Sequence, residues 1–246
     1  MAGHRKVREK LAIRTIAFGR RLFANTPVQR LPVTAAILKR VFRFGYGADE
    51  IELEFRRASL SVPASDVTIV PGLVGGFYEK IELDLFEAVA ERSALVVDVG
   101  GNVGVYACLA AMRAPAGRVV TFEPVPQNLG YLRRNLERNA VDARVEVVAK
   151  AVSDVPGRPA DLSGGQHRNA FPLVGECRQP VANRRGGDHP RRVSRDRPVD
   201  ALKIDVEGLD GHALSGAKRL LQSRRPTLFV EFVPRSLAAA GFDPRG

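Results

Sequence analysis

The sequence predicts an α/β fold built on a doubly wound parallel sheet. Two observations lead to this prediction: short apolar runs of strand length recur along the chain, and stretches with helical periodicity separate them. Buried strands that alternate with helices are typical of parallel sheets, because each parallel connection needs a crossover segment. The predicted strands are Leu95–Val99, Val119–Glu123, Val145–Val148, Val199–Val206 and Thr227–Phe232.

Helical stretches follow the first, second and fourth of these runs. In Asn128–Asn139, the side chains of Leu129, Leu132 and Leu136 fall on one helical face. The other predicted helices are Val103–Met112 and His212–Gln222. A weaker alternation over Ile51–Val70 predicts a small β element that caps the main domain. Ligands of such sheets bind beyond the carboxyl ends of the strands, so function is sought in the loops there.

Composition narrows the class of protein. The 246 residues, with 45% hydrophobic and 26% charged side chains, suit one large globular domain with or without an arm. No apolar stretch approaches the ~20 residues of a transmembrane helix. The two cysteines, Cys108 and Cys177, lie in unrelated contexts, so neither a disulfide framework nor a zinc site is predicted. The chain has no Trp and 7% aromatic residues, which disfavours a base-stacking surface for nucleic acid.

The net charge of +11 belongs to two segments. Residues 1–47 carry 11 Lys and Arg against Glu9, and residues 176–197 carry 7 Arg against three acids, so the remainder of the chain is slightly acidic. We therefore expect a basic helical arm at 1–47, a small cap with a lead-in helix at 48–92, and a main domain at 93–246 with an irregular Arg-rich loop at 163–198. Residues 10–23 form a basic amphipathic pattern, which suits either peripheral contact with an anionic surface or packing on the protein itself. Arg14 interrupts the apolar stretch after the basic start, so no secretory signal is predicted and a cytoplasmic location is expected.

A glycine-rich turn follows the first predicted strand. It runs from Asp98 to Gly104 and includes Gly100, Gly101 and Asn102. Asn102 stands where the dinucleotide fingerprint requires glycine, and the leading carboxylate would repel a pyrophosphate. Asp98 instead suits a cationic ligand group such as the ammonium of an amino acid, although such a turn also serves simply to connect a strand to a helix.

Glu123 ends the second predicted strand. A carboxylate at this place can accept both hydroxyls of a ribose, while the alternative is an acid favoured at a helix amino terminus. Together the two loops describe a ligand with an adenosine and a cationic group, and S-adenosylmethionine meets that description.

The fourth predicted strand carries three charges. Strand alternation puts Lys203, Asp205 and Glu207 on one face, where a central parallel strand is normally apolar. Such charges are costly unless they are paired or functional. Asp210 adds another acid just beyond.

These motifs together resemble the FkbM family of S-adenosylmethionine-dependent methyltransferases. The resemblance rests on Asp98–Gly104, on Phe122-Glu123-Pro124 with Asn128, and on Lys203–Gly208 followed by Ala213–Ala217. It implies a class I, Rossmann-like methyltransferase fold and methyl transfer to a hydroxyl of a sugar, polyketide or lipid-linked metabolite. By the family pattern, Asp98 to Gly104 would hold the methionine end of the cofactor and Glu123 its ribose.

Methyl transfer to a hydroxyl needs positioning and a group that accepts the proton. Asp205 or Glu207 could serve as that base, or Lys203 if burial lowered its pKa. A divalent cation on Asp205, Glu207 and Asp210 is the alternative, and the metal-free version is favoured because no further ligands are evident.

Two departures from the family pattern lead to further expectations. The Arg-rich loop lacks the usual apolar segment, and the chain ends fourteen residues after the fifth run, so the C-terminal antiparallel hairpin of the fold is expected to be absent. Thr227–Phe232 would then be an exposed apolar edge, and the chain is expected to be marginally stable or to self-associate. An RNA methyltransferase that uses the basic arm and a non-catalytic relic of the fold remain as alternative functions; nucleic acid is the less favoured partner.

Overall fold

The computed structural model describes residues 50–64, 66, 69–76, 78–154, 159–162, 166–171, 198–206, 208–239 and 241–243. The predicted arm at 1–47, Glu207 and the part of the Arg-rich loop from 172 to 197 lie outside the described residues. The chain divides into two compact units, Met1–Leu83 and Asp84–Gly246. The division falls within the helix Lys80–Ala90.

The first unit contains a β-hairpin and a short helix. Strands β1 (Glu50–Phe55) and β2 (Ala58–Pro63) pair antiparallel around a two-residue turn in which Arg56 adopts a positive φ of 55°. Helix α1 (Val70–Gly75) starts with a proline in its first turn, where the missing N–H costs no hydrogen bond. The weak alternation of the sequence thus corresponds to a two-stranded hairpin followed by a helix.

The second unit is built around a five-stranded parallel sheet. Its strands are β3 (Leu95–Val99), β4 (Arg118–Phe122), β5 (Val145–Val148), β9 (Ala201–Ile204) and β10 (Thr227–Val230), in the spatial order β10-β9-β3-β4-β5. All four neighbouring pairs are parallel. The predicted fold class is confirmed, and the bounds of β3 and β5 coincide with the predicted ones.

The described part of the chain has four longer helices, α2 (Lys80–Ala90), α3 (Val105–Arg113), α4 (Pro126–Arg138) and α5 (Asp210–Arg224). A short helix α6 (Pro234–Ala239) follows β10, and no strand follows it within the described residues. Within the described residues, no helix is both long enough and apolar enough to span a membrane.

A second, three-stranded sheet lies between β5 and β9 in the chain. It comprises β6 (Ala151–Val152), β7 (Pro159–Leu162) and β8 (Gln166–Phe171) in the order β6-β8-β7. Strand β8 therefore falls inside the segment 163–198 that the sequence predicts to be irregular. Its residues, QHRNAF, have little of the apolar alternation by which strands are recognised.

The strand order reverses between β3 and β9. From β3 the chain proceeds outward through β4 to β5, and it returns to the other side of β3 to form β9 and β10. The crevice beyond the carboxyl ends of β3 and β9 is therefore the topological switch point, where α/β sheets of this kind bind ligands. Beneath it, the apolar side chains of β3 and β9 pack against Ala213 and Ala217 of α5.

Candidate active site

The loop after β3 is fixed to β4 by its backbone. The N–H groups of Gly100 and Gly101 both donate to the carbonyl oxygen of Phe122, at 2.9 Å each. Gly100 has a φ of +89°, and a Cβ added there would overlap the carbonyl oxygen of Asp205. The glycine is therefore required by the close approach of the loops that follow β3 and β9, which was not evident in the sequence.

Glu123 directly follows β4, and its carboxylate is hydrogen-bonded to residues that follow β3 and β4. Its Oε2 accepts a hydrogen bond from the N–H of Asn102 at 2.8 Å, and its Oε1 accepts from the N–H of Val125 at 2.7 Å and from Nδ2 of Asn128 at 3.4 Å. Burial raises the pKa of Glu123, and the hydrogen bonds from Val125 and Asn102 oppose that rise. A carboxylate has about four acceptor positions, so three donors leave one for a ligand.

Asp98 and Lys203 are register partners on the adjacent strands β3 and β9. The Asp98 carboxylate is fully buried; its Oδ2 accepts from Thr121 Oγ1 at 3.1 Å, and its Oδ1 lies 3.7 Å from Lys203 Nζ. Among the buried side-chain nitrogen and oxygen atoms of the described residues, Asp98 Oδ1 is the one without a hydrogen-bond partner. Desolvation raises the pKa of Asp98, and the positive charge of Lys203 opposes that rise.

The ammonium group of Lys203 lies close to two carboxylates and one aromatic ring. It donates to Asp205 Oδ2 at 3.2 Å, and it lies 4.4 Å from the centroid of the Tyr106 ring on α3. The Lys203 side chain is 6% exposed and that of Asp98 is 1% exposed, but 28% of the Asp205 side chain is exposed. Of this ion cluster, defined as Asp98, Lys203 and Asp205, Asp205 is thus the member that a substrate can reach.

Asp210 organises the loop that follows β9. Its Oδ1 accepts from the N–H of Val206 at 3.0 Å and its Oδ2 from the N–H of Gly208 at 3.1 Å. Asp210 lies in the first turn of α5, and both of its carboxylate oxygens are therefore engaged by backbone donors of the loop that precedes the helix. Within the described residues, no group of three or more His, Cys, Asp or Glu side chains is arranged to hold a metal ion.

The structure thus brings together Asp98, the glycine loop and Glu123 on one side of the switch point, and Lys203 and Asp205 on the other. Two side chains of this arrangement were not predicted, Thr121 and Tyr106. Thr121 had a faint signal, because it is the polar residue in the apolar run VVTF of β4. Tyr106 had none, because an aromatic residue in an apolar helix is indistinguishable from ordinary core.

These residues fit an adenosyl cofactor with a cationic end. Glu123 retains one acceptor position at the place where α/β sheets bind ribose, and Asp98 Oδ1 is a buried anionic acceptor without a hydrogen-bond donor. The order and direction of the five strands, with these loops at their carboxyl ends, are those of a Rossmann-like doubly wound sheet, which is the fold of the class I methyltransferases.

The family model described as the methyltransferase FkbM domain matches residues 98–238, which is more than half of the chain. The chain therefore belongs to the FkbM family of S-adenosylmethionine-dependent methyltransferases, as the motifs predicted.

Curated relatives agree with this assignment. The hexuronic acid methyltransferase AglP of Haloferax volcanii is 27% identical over 160 residues, which cover 63% of this chain and 60% of that protein. Methyltransferase 1 of Beauveria bassiana is 25% identical over 145 residues, which cover 50% of this chain and 58% of that protein. The chain thus spans about three fifths of the length of these two relatives.

Among solved structures, cofactor-bound Rv0187 from MTB matches with a TM-score of 0.41 and 24% identity, covering 63% of this chain and 56% of that chain. The O-methyltransferase TomG from Streptomyces achromogenes matches with a TM-score of 0.35 and 17% identity, covering 57% of this chain and 51% of that chain.

Proposed function

We propose that this chain catalyses methyl transfer from S-adenosylmethionine to a hydroxyl of a sugar-type small molecule. The observation that carries the proposal is the partly exposed carboxylate of Asp205, which is held by a buried lysine at the switch point of the sheet. A hydroxyl acceptor has to lose a proton, and a carboxylate at this edge can receive it. The similarity to a hexuronic acid methyltransferase supports a sugar acid as the first acceptor to test.

The cofactor would be held by the loops after β3 and β4. In this proposal Glu123 accepts one ribose hydroxyl, and Asp98 Oδ1 attracts the cationic methionine end. Gly100, Gly101, Asn102 and Gly104 shape the turn along which the cofactor lies. When bound, S-adenosylmethionine supplies a methyl group on a positively charged sulfur, which is an activated electrophile.

The proton of the acceptor hydroxyl goes to Asp205 in this proposal. Lys203 is the weaker candidate for the base, because its ammonium already donates to Asp205 and its side chain is 6% exposed. Its contribution is to fix the Asp205 carboxylate through the 3.2 Å hydrogen bond. Glu207 remains a predicted catalytic residue that lies outside the described residues.

Glu123 provides the test of the cofactor site. We expect Glu123→Ala to weaken binding of S-adenosylhomocysteine by about 10- to 100-fold, because a hydrogen bond to a charged group is worth ~1.5–3 kcal/mol. The dissociation constant is measured by titration calorimetry, with the melting temperature of each variant recorded as a control for folding. A folded wild-type chain that does not bind S-adenosylhomocysteine would contradict the proposed function.

The pH dependence of binding provides a second readout for the same residue. The pKa of Glu123 lies above its ordinary value of 4.5, so acidification protonates Glu123 while unpaired carboxylates are still charged. Protonation removes an acceptor, so affinity falls as the pH decreases through that raised pKa. Glu123→Gln, which has no charge to lose, is expected to bind weakly with a flatter pH profile.

Asp205 provides the test of the chemistry. With glucuronic and galacturonic acids as acceptors, we expect Asp205→Asn to lower kcat by about 10²- to 10⁴-fold. The affinity for S-adenosylhomocysteine is expected to stay unchanged, because Asp205 acts on the acceptor. Alkali distinguishes the products, because a methyl ether on a hydroxyl survives it and a methyl ester on the carboxyl does not. Full activity of Asp205→Asn, or an alkali-labile product, would contradict this assignment.

A further inference from the structure

The ammonium group of Lys203 does not reach hydrogen-bond distance of Asp98. Its Nζ lies 3.7 Å from Asp98 Oδ1, although that oxygen is buried and has no hydrogen-bond partner among the described residues. An unpaired polar atom in the interior is costly, and a shift of the flexible lysine side chain by roughly 1 Å would supply the missing donor. Other attractions therefore hold the ammonium away from Asp98.

Two groups provide those attractions. The ammonium donates a hydrogen bond to Asp205 Oδ2 at 3.2 Å, and it lies over the ring of Tyr106, 4.4 Å from the ring centroid. The face of an aromatic ring is electrostatically negative, so it attracts a cation, and the attraction is strongest where water is excluded. Tyr106 and Lys203 are both buried, so little water screens this contact. The ring and Asp205 together therefore oppose the attraction of Asp98.

The ring of Tyr106 is itself fixed by its neighbours. Tyr106 lies in the first turn of α3, close behind the glycine-rich turn. Phe86 of α2 contacts it edge to face with 4.8 Å between the ring centroids, and Phe86 contacts Phe229 of β10 in the same way at 5.3 Å. Phe229 is the register partner of Lys203 on the side opposite Asp98. Tyr106 thus belongs to a row of packed aromatic rings, which limits how far it can turn away from Lys203.

We propose that Tyr106 is a positioning residue for methyl transfer, because the face of its ring keeps the Lys203 ammonium on Asp205 and away from Asp98. The inference rests on the proposed function, in which Asp205 accepts the proton of the acceptor hydroxyl. A carboxylate that receives a proton has to be oriented toward it. Without the ring, the ammonium moves to Asp98 Oδ1, and the partly exposed Asp205 carboxylate loses the hydrogen bond that orients it. In this role Tyr106 acts through Lys203 and Asp205.

Tyr106→Leu removes the ring and keeps an apolar side chain in the core. With glucuronic or galacturonic acid as acceptor, we expect it to lower kcat by about 5- to 30-fold, the range that a desolvated cation–π contact supplies. Saturating S-adenosylmethionine keeps any change in cofactor affinity out of the comparison. Tyr106→Phe keeps the ring face and is expected to retain most of the wild-type kcat. In an Asp205→Asn background, Tyr106→Leu should lower kcat no further, because the ring acts through this carboxylate.

Two comparisons separate the electrostatics of the ring from its packing. Replacement of Tyr106 by pentafluorophenylalanine keeps a ring of similar shape but reverses the potential of its face, so kcat should fall as in Tyr106→Leu. Tyr131→Leu is the matched control, since Tyr131 is also buried and its ring lies 4.6 Å from the guanidinium carbon of Arg134, on helix α4 and outside the ion cluster. It is expected to lower stability without lowering kcat.

A crystal structure of Tyr106→Leu tests the position of the lysine without turnover. The expected result is Lys203 Nζ at hydrogen-bond distance from Asp98 Oδ1 and no longer bonded to Asp205. The proposal is overturned if Nζ remains 3.2 Å from Asp205 Oδ2, or if the fluorinated ring supports the wild-type kcat. If the wild type methylates neither acid, the proposed acceptor is wrong, and the crystal structure alone decides this inference. Should Tyr106→Leu fail to fold in a thermal melt, the fluorinated variant takes its place in both measurements.

Discussion

Replacing Lys203 with methionine is expected to lower the free energy of unfolding by about 3–5 kcal/mol near neutral pH. Lys203 is the cation of a buried cluster, and removing one partner of a buried ion pair leaves an uncompensated charge in the interior. The uncompensated charge is chiefly that of Asp98, because Asp205 is partly exposed to water. Urea unfolding of the wild type and of Lys203→Met measures the difference.

The loss in Lys203→Met should depend on pH in a definite direction. The pKa of Asp98 is raised above its ordinary 3.8 in the folded protein, and loss of Lys203 removes a charge that opposes that rise. A raised carboxyl pKa means that the folded state binds the proton more tightly than the unfolded state, so acidification through the raised pKa restores stability. The cost of Lys203→Met is therefore largest above the folded pKa of Asp98 and shrinks as the pH falls toward 3.8.

Asp98→Asn is the control for this interpretation. In an Asp98→Asn background, Lys203→Met leaves no charged Asp98 behind, so it should cost less and lose most of its pH dependence. Equal costs in the two backgrounds would show that Lys203 acts through packing on Tyr106 rather than through Asp98.

Replacing Gly100 with alanine is expected to cost about 3 kcal/mol or more. The residue has a φ of +89°, where alanine is strained by ~1–2 kcal/mol, and the new Cβ would overlap the carbonyl oxygen of Asp205. Relief of that overlap requires movement of main chain, which typically costs a further ~1–3 kcal/mol. Because the overlap would force apart the loops after β3 and β9, and the proposed cofactor site includes the first of these loops, cofactor binding is expected to be lost together with stability.

Two other glycines separate the cost of backbone strain from the cost of the steric overlap. Gly241 has nearly the same φ, +88°, but an added Cβ would meet no atom within 4 Å, so Gly241→Ala reports the backbone strain alone. Gly130 lies within helix α4 with equally open space, and Gly130→Ala is expected to stabilise the protein by about 0.5–1 kcal/mol. If Gly100→Ala costs no more than Gly241→Ala, the close approach of the two loops does not limit stability.

Much of the fold follows from local pattern. Strands β3 and β5 have the predicted bounds; β4 differs by one residue and β9 by two residues at each end, and β10 is two residues shorter at its carboxyl end. Local pattern suffices for such elements because apolar periodicity acts within a single segment. Strand β8 was not predicted, because its polar sequence acquires strand structure only by pairing with β6 and β7.

The sequence predicted which residues belong to the candidate site but not how they are arranged in space. Alternation along the fourth run put Lys203 and Asp205 on one face, and both do belong to the ion cluster. That Asp98 is the other carboxylate of this cluster depends on β9 lying beside β3 in a particular register, which no local pattern encodes. The sequence suggested Asp98 as a ligand for a cofactor cation, and the structure adds a lysine of the same chain 3.7 Å from that carboxylate.

The sequence by itself determined the class of fold, the family and the identity of the loops that meet at the switch point, because each of these depends on residues close together in the chain. Only the tertiary structure decided which carboxylate is buried and which is accessible, since 1% exposure for Asp98 and 28% for Asp205 result from strand order and packing. It likewise decided that three donors already engage Glu123. Charge and hydrogen-bonding capacity are properties of a residue type, but burial and partners are set by residues that lie far apart in the sequence.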